Sequence, residues 1–160
     1  MPSVVITTYA GDLMKVAFAN PLAVLPVQRD AKATGQWLRW GRRRFQAGDM
    51  PIGGVLAQTE IEQGVYDQYH PRLVHLGITG FLMWSSPLGN QTFMLSRNNF
   101  VQGVVLSSPD EMPRVYIVTM RPVKFHDYRY WPVIIWQPFG AGVTLPQSCD
   151  VSERLVKNSP

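Results

Sequence analysis

The chain has 160 residues, with 15 Lys plus Arg against 11 Asp plus Glu and a formal net charge of +4. Charged residues make up 16%, below the ~25% usual for soluble domains, and Val is the commonest residue while Glu and Lys number four each. That excludes a surface built from Glu- and Lys-rich helices and leans towards strands. No run reaches the ~18 apolar residues of a membrane-spanning helix. Cys149 is alone, which excludes an internal disulfide framework and a thiolate metal cluster. Residues 1–10 lack the basic start of a secretory signal, so synthesis in the cytoplasm is expected.

In chain order, residues 4–9 are β-branched and aromatic, Ala10-Gly11-Asp12 supplies a turn, and residues 13–19 return as a second strand. A short helix from Asp12 is the competing reading, because Asp is a good N-cap. Residues 22–29 read as a strand whose Pro26 argues for an edge or a bulge. Residues 36–46 read as one strand carrying arginines. Residues 47–54 are a Gly/Pro loop. Residues 55–66 alternate imperfectly, and Gly64 weakens a helix there. Residues 72–85 read as a strand containing Gly77 and Gly80. Residues 86–90 turn, 91–97 and 100–107 are strands, and 108–113 turn again. Residues 114–120 alternate cleanly with both faces apolar, which predicts a central strand. Residues 123–136 are an aromatic-rich strand and 138–146 a loop. Asp150 and Glu153 have the spacing of a capping box, so residues 150–157 are a candidate terminal helix, with roughly 157–160 a flexible end. Strands at this spacing predict a mainly antiparallel all-β fold. The expectation is one domain over residues 1–160, a sandwich or a barrel with one short C-terminal helix.

The positive charge is local. Residues 28–50 hold Arg29, Lys32, Arg39, Arg42, Arg43 and Arg44 against Asp30 and Asp49, and the rest of the chain is balanced. Trp37, Trp40 and Phe45 interleave with these arginines. Arg forks bind carboxylate or phosphate in bidentate fashion and stack on aromatic faces. Trp37, Arg39, Trp40, Arg42, Arg43 and Arg44 are therefore the first candidates for contact with a protein partner or with phosphate. A charged strand edge that discourages stray pairing is the competing account. Tyr128, Arg129 and Tyr130 form a second candidate interface, since aromatics and Arg are enriched at hot spots. Ile134 and Trp136 read as core.

The search for chemistry finds no catalytic set, no cofactor loop and no metal-ligand spacing. His70 and His75 are five apart and diverge on a strand. His126 has only Asp127 beside it. Glu60 and Glu62 would share a strand face, with Ile61 turned inward. No nucleophile elbow is present, and residues 48–54 lack the Lys of a phosphate loop. The expectation is a non-enzymatic subunit that meets copies of itself and other subunits of a symmetric assembly. A virion part of the phage tail, neck or capsid-associated kind is the first reading. A nucleic-acid-binding barrel using residues 37–45 is the alternative. An enzyme whose site is assembled from distant residues comes third.

Overall fold

The computed structural model describes residues 1–28, 35–122 and 127–137. Its elements in chain order are β1 (Val4–Tyr9), β2 (Asp12–Ala17), β3 (Val24–Gln28), β4 (Gln36–Trp40), β5 (Val55–Ala57), the short helix α1 (Gln58–Glu62), a 3-10 turn (Asp67–Tyr69), β6 (Arg72–Leu76), β7 (Ile78–Ser85), β8 (Gly89–Met94), β9 (Asn99–Ser108), β10 (Glu111–Met120), β11 (Trp131–Pro132) and β12 (Ile134–Trp136). The fold is mostly antiparallel β, as the composition predicts: a closed five-stranded barrel and a second sheet. The expected terminal helix, the loop over 138–146 and Cys149 lie outside the described residues.

The barrel closes through β10, β4, β3, β6 and β9, with β9 pairing back to β10. One junction, β10 with β4, is parallel. Register assigns the interior. Leu25 opposes Leu38, Val27 opposes Leu76, Leu76 opposes Val101, Val105 opposes Val115, and Trp40 lies beside Val115. Opposed residues share a face, and all of these side chains are buried in one cluster. Gly103 leaves room in it, because a Cβ there would stand 2.7 Å from Leu76 Cδ2.

β10 is central, as its two apolar faces predict. Val115 and Ile117 face the barrel interior, while Tyr116 and Val118 face a second cluster with Met50, Leu56, Tyr69, Val104, Leu106 and Val133. This outer cluster is roofed by the excursion between β4 and β6. There the structure departs from the strand expected over 55–66. Only Val55–Ala57 is extended, paired parallel to β10, and the chain then coils into α1 and the 3-10 turn. Glu60 and Glu62 therefore sit on a helical turn, where residues two apart diverge.

The strand expected over 72–85 is also two strands. β6 belongs to the barrel and β7 to the second sheet, whose order is β2-β1-β7-β8. Gly77, between them, is where the chain changes sheet. Pro26 lies opposite, in a strand flanked on both sides by β4 and β6, so the expected edge strand is interior. The missing N–H of Pro26 is made good from the other sheet. Pro26 O accepts the Gly77 N–H at 2.8 Å, and Gly77 O accepts instead the hydroxyl of the fully buried Thr7 at 2.8 Å.

The inner face of the second sheet, Val5, Val16, Phe81 and Phe93, joins the barrel core. An aromatic group ties them together. Trp131 meets Phe93 at 4.8 Å and Phe81 at 5.4 Å, and Tyr128 meets Phe93 at 5.9 Å, all near edge-on, the geometry ring quadrupoles favour. The aromatic strand expected over 123–136 is short where described: β11 pairs with β10 and β12 with β9. Val133 bridges both, donating to Val118 O and accepting from Gln102 N–H.

Candidate interaction surface

The strand expected over 36–46 ends at Trp40. Gly41 turns the chain with a φ of 56°, and a Cβ there would lie 2.0 Å from Gly53 O. On β4, alternation sends Leu38 and Trp40 inward and Trp37 and Arg39 outward. Trp40 is fully buried. Its indole N–H donates to Gly54 O at 2.9 Å, and Phe18 meets its ring edge-on at 5.2 Å. Trp40 is thus taken up by the core and is not available as surface. Trp37 is half-buried, with Tyr9 edge-on at 5.9 Å.

The arginines divide in the same way. Arg43 is buried. Its guanidinium donates to Phe18 O (2.9 Å from Nε), Asn20 O (2.7 Å) and Trp40 O (2.5 Å), and lies 4.0 Å over the Phe18 ring. Burial, then the charges of Arg114 and Arg39, hold its pKa below the ordinary value. Arg42 is half-buried and donates to Met50 O and to Gln46 O. Both arginines serve as backbone clamps. Arg39 and Arg44 are exposed. Of the six candidates, these two arginines and the outer edge of Trp37 face solvent.

The clamps gather three loops. Arg43 fastens residues 18–20 to the end of β4. Gln46 donates to Pro21 O at 3.2 Å. Arg42 and Gly53 exchange backbone bonds at 3.0 and 2.8 Å. Tyr69 and Tyr116 hold residues 49 and 51 from beneath, donating to Asp49 O and Pro51 O at 2.8 and 2.9 Å. Arg114 donates to Gly41 O at 2.9 Å, and the Glu111 carboxylate accepts the Asp49 N–H at 2.7 Å and the Met50 N–H at 3.3 Å. Burial pushes the Glu111 carboxyl up, but those bonds, the Asp49 side chain and Arg114 outweigh it and hold it below the usual range. Asp49 is pushed the other way, chiefly by its hydrogen bond with Glu111.

The result is a fixed platform from which apolar side chains protrude. Phe45 is 76% exposed, Met112 78%, Leu22 65% and Ile52 54%. Arg39 and Arg44 belong to the same segment as Phe45. Phe45 stood in the Arg/aromatic run, whereas Leu22 and Ile52 lie in turns and Met112 near the start of β10, positions that carry no local signal of a shared surface.

The second candidate group is split. Tyr128 is buried in the aromatic cluster. Arg129 is exposed and lies 5.3 Å over the Tyr130 ring. These two border an open groove of about 910 Å³, with Thr59, Met120 and Arg121 along it. Trp136, expected in the core, is 53% exposed, whereas Ile134 is buried. Trp136 shares the face of Ile134, but it closes the edge strand β12 opposite Asn99, whereas Ile134 opposes the fully buried Val101. His75 stacks on Phe100 at 5.2 Å, and burial lowers its pKa. His70 sits in a left-handed turn at φ 50°, and His126 lies outside the described residues. Among the described residues no three His, Cys, Asp or Glu side chains gather as a metal set, and no helix is long and apolar enough to cross a membrane. No protein-family model, curated protein or solved structure matches this chain.

Proposed function

We propose that this protein is a non-enzymatic structural subunit of a larger symmetric assembly, meeting copies of itself and other subunits. The observation that supports this reading is the rigid loop platform with Phe45, Met112, Leu22 and Ile52 each more than half exposed. Exposed apolar groups on a preorganised surface are how association sites are built. The arginines and aromatics beside them are the residue types of interface hot spots. The particular assembly we propose is a virion, with the chain a phage tail, neck or capsid-associated part, because β domains recur as repeating units of such particles.

Light scattering on the purified chain tests the reading. Discrete oligomers are expected, and Phe45→Asp with Met112→Asp should dissociate them without lowering the melting temperature. A monomer at every concentration up to about 1 mM, where a Kd still reflects only ~4 kcal/mol, overturns the proposal.

A second reading rests on a separate observation: Arg39, Arg44 and Phe45 are exposed in one segment, a combination that binds single-stranded nucleic acid by phosphate contact and base stacking. Arg39→Glu with Arg44→Glu should then reduce the salt slope of binding by about two. Equal retention of wild type and variant on nucleic acid refutes it.

A further inference from the structure

Among the described residues the second sheet, β2-β1-β7-β8, ends in two open edges, β2 and β8. Each edge strand is six residues long. All neighbours in this sheet are antiparallel. With four strands, the two edges therefore run antiparallel to each other.

Alternate residues of an edge strand turn their backbone groups outward. The ladder of β1 and β2 continues with the Phe18 N–H bonded to Ser3 O at 2.8 Å. Asp12, Met14 and Val16 therefore bond inward, and Leu13, Lys15 and Ala17 present N–H and C=O to the open side. The ladder of β7 and β8 continues with the Leu95 N–H bonded to Thr79 O at 2.8 Å. Gln91 and Phe93 bond inward, and Asn90, Thr92 and Met94 present theirs outward.

The two outward sets also share a face. Ala17 opposes Val4, Val4 opposes Leu82, and Leu82 opposes Thr92. This is the face away from the buried Val5, Val16, Phe81 and Phe93. An antiparallel ladder requires its hydrogen-bonded partners to have side chains on one face. Direction and face thus both match between one edge and the other, so a second copy extends the sheet without being turned over. Of the two edges, β2 carries Asp12 and Lys15, whereas β8 is undefended. β8 carries no charge and no proline, the devices that protect open edges, and Leu13 on β2 is 68% exposed.

We propose that copies of this chain join head to tail through this sheet, β8 of one against β2 of the next. Met94 then meets Leu13 of the next copy, Thr92 meets its Lys15 and Asn90 its Ala17. The contact is heterologous, so it builds a ring or a filament and not a closed two-fold dimer. This rests on the reading of the chain as a self-associating subunit and supplies the joint.

The test uses two full-length variants. Thr92→Pro removes an outward N–H from the middle of β8 and no bond to β7, and proline is tolerated at such edge positions. Lys15→Pro does the same on β2. Circular dichroism and melting temperature check folding, and light scattering reads mass. Each variant alone should lose the edge joint and fall below the wild-type mass. An equimolar mixture should regain mass through one edge joint per pair, since one variant keeps an intact β8 and the other an intact β2. A charge pair serves as a second route with little effect on folding. Thr92→Lys, opposed by Lys15 of the next copy, should weaken assembly about threefold, and Lys15→Glu in the same chain should restore it. Wild-type mass in both folded proline variants overturns the edge joint while the assembly reading stands. A monomer from Thr92→Pro with intact oligomers from Lys15→Pro overturns the head-to-tail arrangement. A wild type that is monomeric throughout removes both.

Discussion

Replacing Arg43 by methionine separates an arginine that builds the fold from one that meets a partner. Methionine keeps most of the apolar stem and removes the guanidinium. Three carbonyls lose their donor: Phe18 O, Asn20 O and Trp40 O. Trp40 is fully buried, so its oxygen is left where water does not replace the bond, at ~1–3 kcal/mol. Phe18 and Asn20 lie nearer the surface, and loss of their charge-assisted bonds costs roughly 0.5–1 kcal/mol each once water takes over. The cation–π contact with Phe18 contributes about 1 kcal/mol more. Relief of the buried charge, visible in the lowered Arg43 pKa, offsets part of this. The net expectation is a loss of about 3 kcal/mol. For a chain of this length that is a fall of roughly 6–12 °C in melting temperature. Thermal unfolding followed by far-UV circular dichroism measures it, with the exposed Arg44→Met as control, expected within about 0.5 kcal/mol of wild type. A melting temperature within about 2 °C of wild type for Arg43→Met refutes the clamp, most directly if association is lost at the same time.

Thr7→Val keeps shape but leaves Gly77 O without the donor that Pro26 cannot supply, and urea unfolding should show a loss of ~1–3 kcal/mol. Gly41→Ala places a Cβ 2.0 Å from Gly53 O at a φ of 56° and should cost roughly 3 kcal/mol or more. By contrast, Gly11→Ala, also at positive φ but with nothing within 4 Å, should cost only about 1–2 kcal/mol. Equal losses at the two glycines would show that conformation, not crowding, sets the penalty. Glu111→Gln should destabilise by about 1 kcal/mol at pH 7. Because the folded Glu111 pKa is depressed, that contribution is present above the unfolded carboxyl pKa and fades as pH falls through the folded value. Denaturant curves at pH 7 and in strong acid should therefore differ by variant only at pH 7.

The all-β character, the β1–β2 hairpin and the central place of β10 were legible in the sequence. They depend on local quantities: β-branched composition, turn residues and period-two alternation. The positive segment was equally visible, since charge is counted along the chain. What each of its side chains does was not. Trp37 and Arg39 face out while Trp40 and Arg43 are buried because of strand parity, a turn at Gly41, and carbonyls contributed by residues 18 and 20. Alternation cannot report a donor's partner more than twenty positions away. The run over 72–85 shows the same limit. Its apolar pattern is continuous, yet it serves two sheets, and only packing reveals that Gly77 divides it. Pro26 reads as an edge because proline removes a local bond, and Thr7 supplies the substitute from another sheet. Sequence by itself determined the all-β character, the hairpin and the central strand, and where charge concentrates. Tertiary structure decided which faces are buried and which edges stay open, because burial and ladder partners are set by residues remote along the chain.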